Sequence, residues 1–234
     1  MGPLLPLPGI CAYGRHVLWT EQFLFHTPET ALDIAALLAA AADPEAQHFV
    51  GMPENAATVP LADDRIREAI LNLRPGDPAS LRAAPWTREL LAIPFDIKGE
   101  GEYLVAVRRD DGRYAGCMQL HPVLRQISGW LAPHTRTVEM ETELYRAAAL
   151  LAHTHFGFQT IGAGYEVASP DGAQAFAAAG FVSVDGPATF TLENGREVEP
   201  RWVQHVAEGP TSRCRGYRPS APSTSEAGET SESP

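Results

Sequence analysis

The stretch that decides the fold reads ISGWLAPHTRTVEMETELYRAAALLAHTHFGFQTI and spans residues 127–161. Residues 126–131, at its start, fit a short β-strand that ends at a loop containing Pro133. Apolar residues then recur at helical spacing from about residue 139 to 153, and a second strand is predicted over 160–167. This order predicts a strand–helix–strand unit in which the helix packs against one sheet.

The sequence on both sides extends this unit. Residues 102–123 read as two strands around an Asp110-Asp111-Gly112 turn, which predicts an antiparallel hairpin. An Ala-rich helix is predicted at 171–179, because Gly180 is a favoured residue just after a helix. Short strands are predicted at 181–184, 188–192 and 201–206. Together these elements indicate a mixed α/β (α+β) domain around one sheet.

The N-terminal part adds an arm and two helices. Residues 1–25 are predicted to form an arm with a short strand within 16–25, and the domain proper is predicted to span 26–206. A helix begins after Thr27-Pro28-Glu29, with Thr27 as the expected N-cap and the acidic residues near the positive end of the helix dipole. A second helix is predicted over about 62–72, and residues 81–94 are too rich in proline to assign.

The charge balance excludes two classes of partner. The chain of 234 residues has 18 basic and 29 acidic side chains, a formal net charge of −11 and a pI near 5.1. Binding to nucleic acid or to an anionic membrane needs clustered Lys and Arg, so neither is expected. Residues 207–234 are predicted to be a disordered, acidic, Ser/Pro-rich tail, because residues 219–234 contain no aromatic or branched aliphatic side chain.

The cysteine and histidine patterns predict no metal site. Cys11, Cys117 and Cys214 are scattered and form no CxxC pair, which favours a reducing cytoplasmic location. No third ligand is predicted near His153-x-His155. Both imidazoles are expected at a helix C-terminus, where they interact well with carbonyl groups.

Four stretches resemble the GCN5-related N-acetyltransferase (GNAT) superfamily, and in detail its ribosomal-protein alanine acetyltransferase branch. They are TPETALDIAALLAAAADPEAQHFVG (27–51), YLVAVRRDDGRYAGCMQLH (103–121), the 127–161 stretch with its Gly-Trp-Leu-Ala-Pro entry, and SPDGAQAFAAAGF (169–181) followed by ENGREVEPRWVQH (193–205). The resemblance implies a mostly antiparallel sheet with one splayed parallel pair, flanked by helices. It also implies an enzyme that moves an acetyl group from acetyl-CoA to an amine of a small molecule or of a protein N-terminus. Relatives often form homodimers, and no residue of this chain decides that point.

The resemblance also implies a cofactor site. In the family, the pyrophosphate of acetyl-CoA binds backbone N–H groups where a loop becomes a helix, an arrangement that suits anions. Trp130 and Leu131 would bond the pantetheine arm through their backbone, and Arg136 with the following backbone would hold the pyrophosphate. The full implied set is Trp130, Leu131, Ala132, Arg136, Thr137, Val138, Glu139, Met140, Glu141 and Ser169.

Two parts of this site depart from the family pattern of Arg/Gln-x-x-Gly-x-Gly/Ala. Thr137 and Glu139 stand where relatives have glycine, and Glu141 stands where they have a small residue. The last helix usually begins Asn-x-x-Ser, and here Ser169 and Gly172 occupy those positions. Repulsion between a carboxylate and a phosphate about 5 Å apart would weaken the binding free energy of the cofactor by on the order of 3 kcal/mol at an effective dielectric near 20. Retention of acetyl-CoA is therefore in question.

Candidate catalytic groups are His121, Glu102 and Tyr165, each with a structural alternative. Amine acetylation needs a neutral amine near the thioester and a group that takes its proton. His121 follows the hairpin and is the first candidate base, although a loop-edge imidazole bonded to backbone is the simpler interpretation. Glu102, with Asp96 and Glu100, could also serve as the base, and a core aromatic position is the better interpretation of Tyr165.

The sequence therefore supports two hypotheses. The first is an acyltransferase that uses acetyl-CoA. The alternative is a GNAT-fold protein that no longer binds acetyl-CoA and uses its cleft for a cationic or amine-bearing ligand.

Overall fold

The computed structural model describes residues 9–12, 15–41, 64–74, 102–167, 169–192 and 195–211. The helices are α1 (Ala31–Ala41), α2 (Asp64–Leu71), α3 (Val138–Thr154) and α4 (Pro170–Ala178). The strands are β1 (Gly9–Ala12), β2 (Arg15–Trp19), β3 (Phe23–His26), β4 (Glu102–Arg108), β5 (Tyr114–His121), β6 (Gln126–Leu131), β7 (Thr160–Glu166), β8 (Val182–Val184), β9 (Phe190–Thr191), β10 (Glu197–Val198) and β11 (Pro200–Val206). The unassigned stretch at 81–94 and residues 212–234 of the predicted tail lie outside the described residues. None of the described helices is long and apolar enough to cross a membrane.

Nine strands form one sheet in the order β1-β2-β3-β4-β5-β6-β7-β11-β8, and β9 pairs with β10 in a separate hairpin. All neighbouring strands are antiparallel except β6 and β7, which are parallel. Helices flank this sheet, so the predicted fold class, a mostly antiparallel mixed sheet with one parallel pair, is confirmed.

The sheet separates two apolar cores. One core joins α3 and α4 to strand residues such as Phe25, Leu104 and Leu131, and we call this side the α3 face. The other joins α1 and α2 to residues such as Val105 and Cys117, and we call it the α1 face. Because side chains alternate along a strand, each strand of the hairpin contributes to both cores.

The first described strands are part of the sheet and not an arm before it. β2 pairs with β3, and β3 pairs with β4 from Phe23↔Arg108 to His26↔Val105. Phe23 and Phe25 are fully buried on the α3 face. The predicted boundary at residue 26 therefore falls inside β3, because the apolar residues of this stretch complete the core of the domain.

The N-cap of α1 is Thr30, three residues after the predicted one. Thr30 Oγ1 accepts from Asp33 N (3.1 Å), while the Asp33 carboxylate accepts from Thr30 N (2.9 Å) and Glu29 N (3.0 Å). Thr27 continues the sheet instead, since it exchanges hydrogen bonds with the backbone of His16. This reciprocal cap takes precedence over the Thr-Pro-Glu pattern that the sequence favoured.

The folded domain extends beyond residue 206, where its end was predicted. Ala207 and Gln159 exchange two hydrogen bonds, at 2.9 and 3.0 Å, and Thr211 Oγ1 donates to Gly157 O (3.1 Å). Residues 207–211 therefore belong to the domain and not to the tail.

A β-bulge at Ala115 sets the register of the central hairpin. Ala106 pairs with Gly116, whereas the next residue, Val107, pairs with Tyr114. Gly116 has φ +146°, and a Cβ at this position would lie 2.1 Å from Trp130 O. Only glycine fits this conformation and this close approach to β6.

Replacing Gly116 by alanine tests this constraint. We expect G116A to lower the free energy of unfolding by about 2–5 kcal/mol, because backbone strain and overpacking add. The matched control is G209A, since a Cβ at Gly209 would meet nothing within 4 Å. Urea denaturation measures both variants, and equal stabilities would contradict the assigned register.

Two histidine pairs lie where the C-terminal end of α3 meets the sheet. His153 Nδ1 donates to Phe158 O (2.6 Å), so its Nε2 accepts from His205 Nδ1 (2.9 Å). The rings of His16 and His155 lie 5.8 Å apart, edge to face. Burial lowers the pKa of all four imidazoles, and burial with the nearby His155 takes the pKa of His16 to about 4.

These groups make the fold sensitive to acid. Because the folded-state pKa values lie below the unfolded value near 6.5, the unfolded chain binds more protons as the pH falls through 6.5. We expect the urea midpoint to decrease from pH 7.5 to pH 5.5, and a His205→Gln variant to show a shallower decrease. A midpoint that does not change over this range would contradict the expectation.

Candidate functional site

The parallel strands β6 and β7 are joined at one end only. Gln126↔Gly162 is their single register pair, and Gly162 N donates to Arg125 O (2.8 Å). Beyond this pair β7 stays in register with β11 along its whole length, while β6 stays with β5. We call the space between the two strands beyond Gln126 the β6–β7 opening.

Backbone groups of β6 line this opening. The carbonyl of Arg125 points to β7, so the backbone of Ile127, Gly129 and Leu131 faces the same way. Trp130 has the opposite orientation, as does Ala132, whose N–H donates to Ala115 O on β5 (2.7 Å). The backbone of Trp130, which was predicted to contact a cofactor arm, therefore faces β5 and not the opening, and the Gly129 backbone faces the opening.

A short 3-10 turn, Pro133–Thr135, leads from β6 to α3 and is tied down on both sides. The buried Thr135 hydroxyl donates to the carbonyls of Ala115 and Ala132, each at 2.9 Å. Arg136 turns back and donates from its guanidinium to Leu131 O (2.8 Å). The arginine of the predicted pyrophosphate loop thus bonds the end of its own strand.

The N-terminus of α3 caps itself. Thr137 is the N-cap, and its side chain accepts from Met140 N (3.3 Å). Glu141 N donates to Thr137 O (2.9 Å) in the first turn of the helix. Among the described residues, only the N–H groups of Val138 and Glu139 in this first turn have no acceptor. Thr137 and Glu139 have exposed side chains, and Met140 packs partly against the core.

Acidic groups from two helices meet beside this N-terminus. Glu141 is half-buried, and its pKa is raised by burial and by Asp171, against the opposing effect of Arg136. Asp171 lies in the first turn of α4, whose N-cap Ser169 accepts from Gly172 N (3.3 Å). The predicted loop residues from Arg136 to Glu141, and Ser169, are therefore brought together at this end of the molecule.

Glu143 fixes the start of α3 to the sheet. One carboxylate oxygen accepts from Thr20 Oγ1 and from Gln22 N (2.8 Å), both in the β2–β3 turn. Arg109, which follows β4, holds the same turn through the carbonyls of Thr20 and Glu21. Sequence reasoning gave Glu143 no role, because its partners lie more than 120 residues away.

The three predicted catalytic residues are not brought together. His121 pairs with Gln126, so it lies level with the closed end of the opening, on the α1 face. Glu102 pairs with Leu120 on the opposite face, and burial raises its pKa. Tyr165 also faces α3 and α4, with its ring 5.7 Å from that of Phe176, as the core-aromatic interpretation expects.

A polar ladder on the α1 face reaches the opening, and sequence reasoning missed it. Ser128 Oγ donates to Gln119 Oε1 (3.0 Å), and Gln119 Nε2 donates to Tyr103 Oη (2.6 Å). The three residues stand in cross-strand register on β6, β5 and β4. Ser128 Oγ is thereby oriented as a hydrogen-bond acceptor on β6, the strand that borders the opening.

The β9–β10 hairpin is tied to the end of β7. Arg196 binds the Glu166 carboxylate through two nitrogens, at 3.0 and 3.2 Å, and neutralises it. Trp202 lies over Gly164 and donates from its indole to Pro187 O (2.8 Å). Within the described residues no three His, Cys, Asp or Glu side chains come together as metal ligands.

The architecture resembles solved acetyltransferases. A GNAT-family acetyltransferase from Bacillus anthracis has a TM-score of 0.55 and 10% identity, over 82% of this chain and 99% of that one. Microcin C7 self-immunity acetyltransferase MccE, solved with acetyl-CoA and AMP, has a TM-score of 0.51 and 12% identity, over 80% of this chain and 93% of that one. Ribosomal-protein-S5-alanine acetyltransferase from Vibrio fischeri has a TM-score of 0.50 and 12% identity, over 83% of this chain and 98% of that one. No family model and no curated protein matches the sequence. At these identities the likeness shows the GNAT fold.

Glu143 offers a test of how the site is held. Replacing it by alanine leaves the Gln22 N–H and the Thr20 hydroxyl without their acceptor, so we expect a loss of about 1–3 kcal/mol in the free energy of unfolding. Glu143→Gln retains an acceptor oxygen and should recover most of this loss. Urea denaturation measures both, and wild-type stability for Glu143→Ala would contradict the tie between α3 and the turn.

Proposed function

We propose that this chain, which has the GNAT fold, transfers an acyl group from a thioester to an amine. The observation that carries the proposal is the β6–β7 opening, which begins beyond a single register pair and ends beside the N-terminus of α3. A solved structure with the same fold, MccE, is in complex with acetyl-CoA.

The opening suits the amide-containing pantetheine arm of such a donor. Gly129 presents its backbone N–H and C=O toward it, and an arm that contains amides can bond them as an added strand would. From Gln126 to Leu131 the edge is about 17 Å long at the usual rise per residue. An arm that enters beside α3 would therefore carry its thioester toward Ser128 and the closed end.

The pyrophosphate half of acetyl-CoA fits less well. Thr137 already takes the Met140 N–H, Arg136 bonds Leu131 O, and Glu141 lies beside both helix N-termini. The residues therefore fit the arm of the implied cofactor better than its phosphates.

The chain's own residues can position the amine. Ser128 Oγ, held as an acceptor by Gln119, can accept a hydrogen bond from the amine and aim its lone pair at the thioester carbonyl. The N–C bond forms, the C–S bond breaks, and the proton lost by the amine is gained by the released thiol. Of the predicted bases, His121 shares the α1 face with Ser128 and is assigned to accept that proton through water, while Glu102 and Tyr165 face the other side.

The acceptor is proposed as an amine of a small molecule or of a peptide. A homodimer and a cytoplasmic location also stay predictions from the sequence.

One observation favours a second function. Glu139, Glu141 and Asp171 surround the N-termini of α3 and α4, where the family binds an anion. A GNAT-fold protein that has lost acetyl-CoA and binds a cationic or amine-bearing ligand would show this arrangement.

Release of free thiol from acetyl-CoA in the presence of a panel of primary amines tests the proposal. Amine-dependent thiol release above the rate of hydrolysis supports acyl transfer. A heat of binding with an amine, without transfer from any thioester, would support the second function instead.

Ser128→Ala should lower kcat/KM for the amine about 5- to 30-fold, the equivalent of one hydrogen bond to the reacting group, and leave KM for the thioester unchanged. The matched control is Ser183→Ala, an exposed serine on β8. Equal kinetics for the two variants would remove Ser128 from the site.

A further inference from the structure

We propose that this protein holds its acyl donor through the pantetheine arm alone, so that its donor class is acyl-pantetheine thioesters with or without a nucleotide. This inference rests on the proposed acyl transfer. It concerns which part of the donor is recognised, and the transfer itself is unchanged: the C–S bond breaks, the C–N bond forms, and the amine proton passes to the released pantetheine thiol.

Only some of the hydrogen-bond donors that a pyrophosphate would use are free. The Thr137 side chain accepts from Met140 N (3.3 Å), which leaves the N–H groups of Val138 and Glu139 in the first turn of α3. The guanidinium of Arg136 is turned toward Leu131 O, 2.8 Å away. A phosphate at this position would have to displace contacts that the folded chain makes for itself.

The charges around the same N–H groups oppose the nucleotide. Glu139 and Glu141 stand in the first turn of α3, and Asp171 stands in the first turn of α4 beside Glu141. These carboxylates provide the negative charge that a helix N-terminus favours, which a bound phosphate provides in other proteins. Repulsion from these carboxylates lowers the affinity for a phosphate bound at this position.

The surface proposed for the arm is affected neither by engaged hydrogen-bond donors nor by nearby carboxylates. Gly129 faces the opening with its backbone N–H and C=O and has no side chain. The arm is uncharged, so the acidic residues at the N-terminus of α3 leave its binding unchanged.

The experiment compares acetyl-CoA with acetyl-pantetheine as donors for the same amine, on the full chain. We expect their kcat/KM values to agree within about tenfold. A larger preference for acetyl-CoA would overturn the inference and leave the acyl transfer intact. Absence of transfer from both donors would overturn the proposed function, and the inference with it.

Calorimetry provides a readout that is independent of turnover. Pantetheine and CoA should bind with dissociation constants within about tenfold of each other. Adenosine 3′,5′-bisphosphate, the nucleotide half, should give no heat at millimolar concentration. Saturable binding of this bisphosphate would contradict the inference.

A charge-removed variant tests the cause. Glu139→Gln with Glu141→Gln should raise kcat/KM for acetyl-CoA at least about tenfold and change that for acetyl-pantetheine less than twofold. The matched control removes two exposed carboxylates elsewhere, Glu197→Gln with Glu208→Gln, and should leave both donors unchanged. An equal effect of the two double variants would show that net charge, and not the position of Glu139 and Glu141, selects the donor.

Discussion

The hydrogen bond from Gly162 N to Arg125 O is the contact on which the rest of the site depends. It joins two parallel strands at one point, after which each strand keeps its other neighbour and the two diverge. The bulge at Ala115 and the close approach of Gly116 to Trp130 O then fix which backbone groups of β6 face the gap. A fold with an otherwise continuous sheet thereby gains an edge in its middle.

The two ends of that edge differ in their chemistry. At the closed end, the ladder from Tyr103 through Gln119 to Ser128 is neutral and ordered by hydrogen bonds. At the open end, Thr137 accepts from Met140 N, Arg136 donates to Leu131 O, and Glu141 lies between the opposing charges of Arg136 and Asp171. The closed end thus carries polar groups with defined donor or acceptor roles, and the open end carries acidic side chains beside two helix N-termini.

Periodicity and turn residues were enough to predict most of the elements. The hairpin around Gly112, the long helix after the Pro-marked loop and the helix that ends at Gly180 all follow from local patterns. Contacts between distant residues were not predictable. The cap at Thr30 depends on Thr27 being used by His16, and the role of Glu143 depends on a turn far away in the sequence. Strand register decides which face of the sheet the side chains of Glu102 and His121 occupy. A single bulge residue moves every side chain beyond it to the opposite face.

The contacts of Glu143 make α3 dependent on the β2–β3 turn. A homology-guided truncation at residue 26 would look harmless from the pattern alone. It would remove Thr20 and Gln22 together, and a half-buried carboxylate on α3 would lose both of its donors. Strands β2 and β3 are therefore part of the support of α3, and any shortened or circularly permuted version of the chain has to retain them.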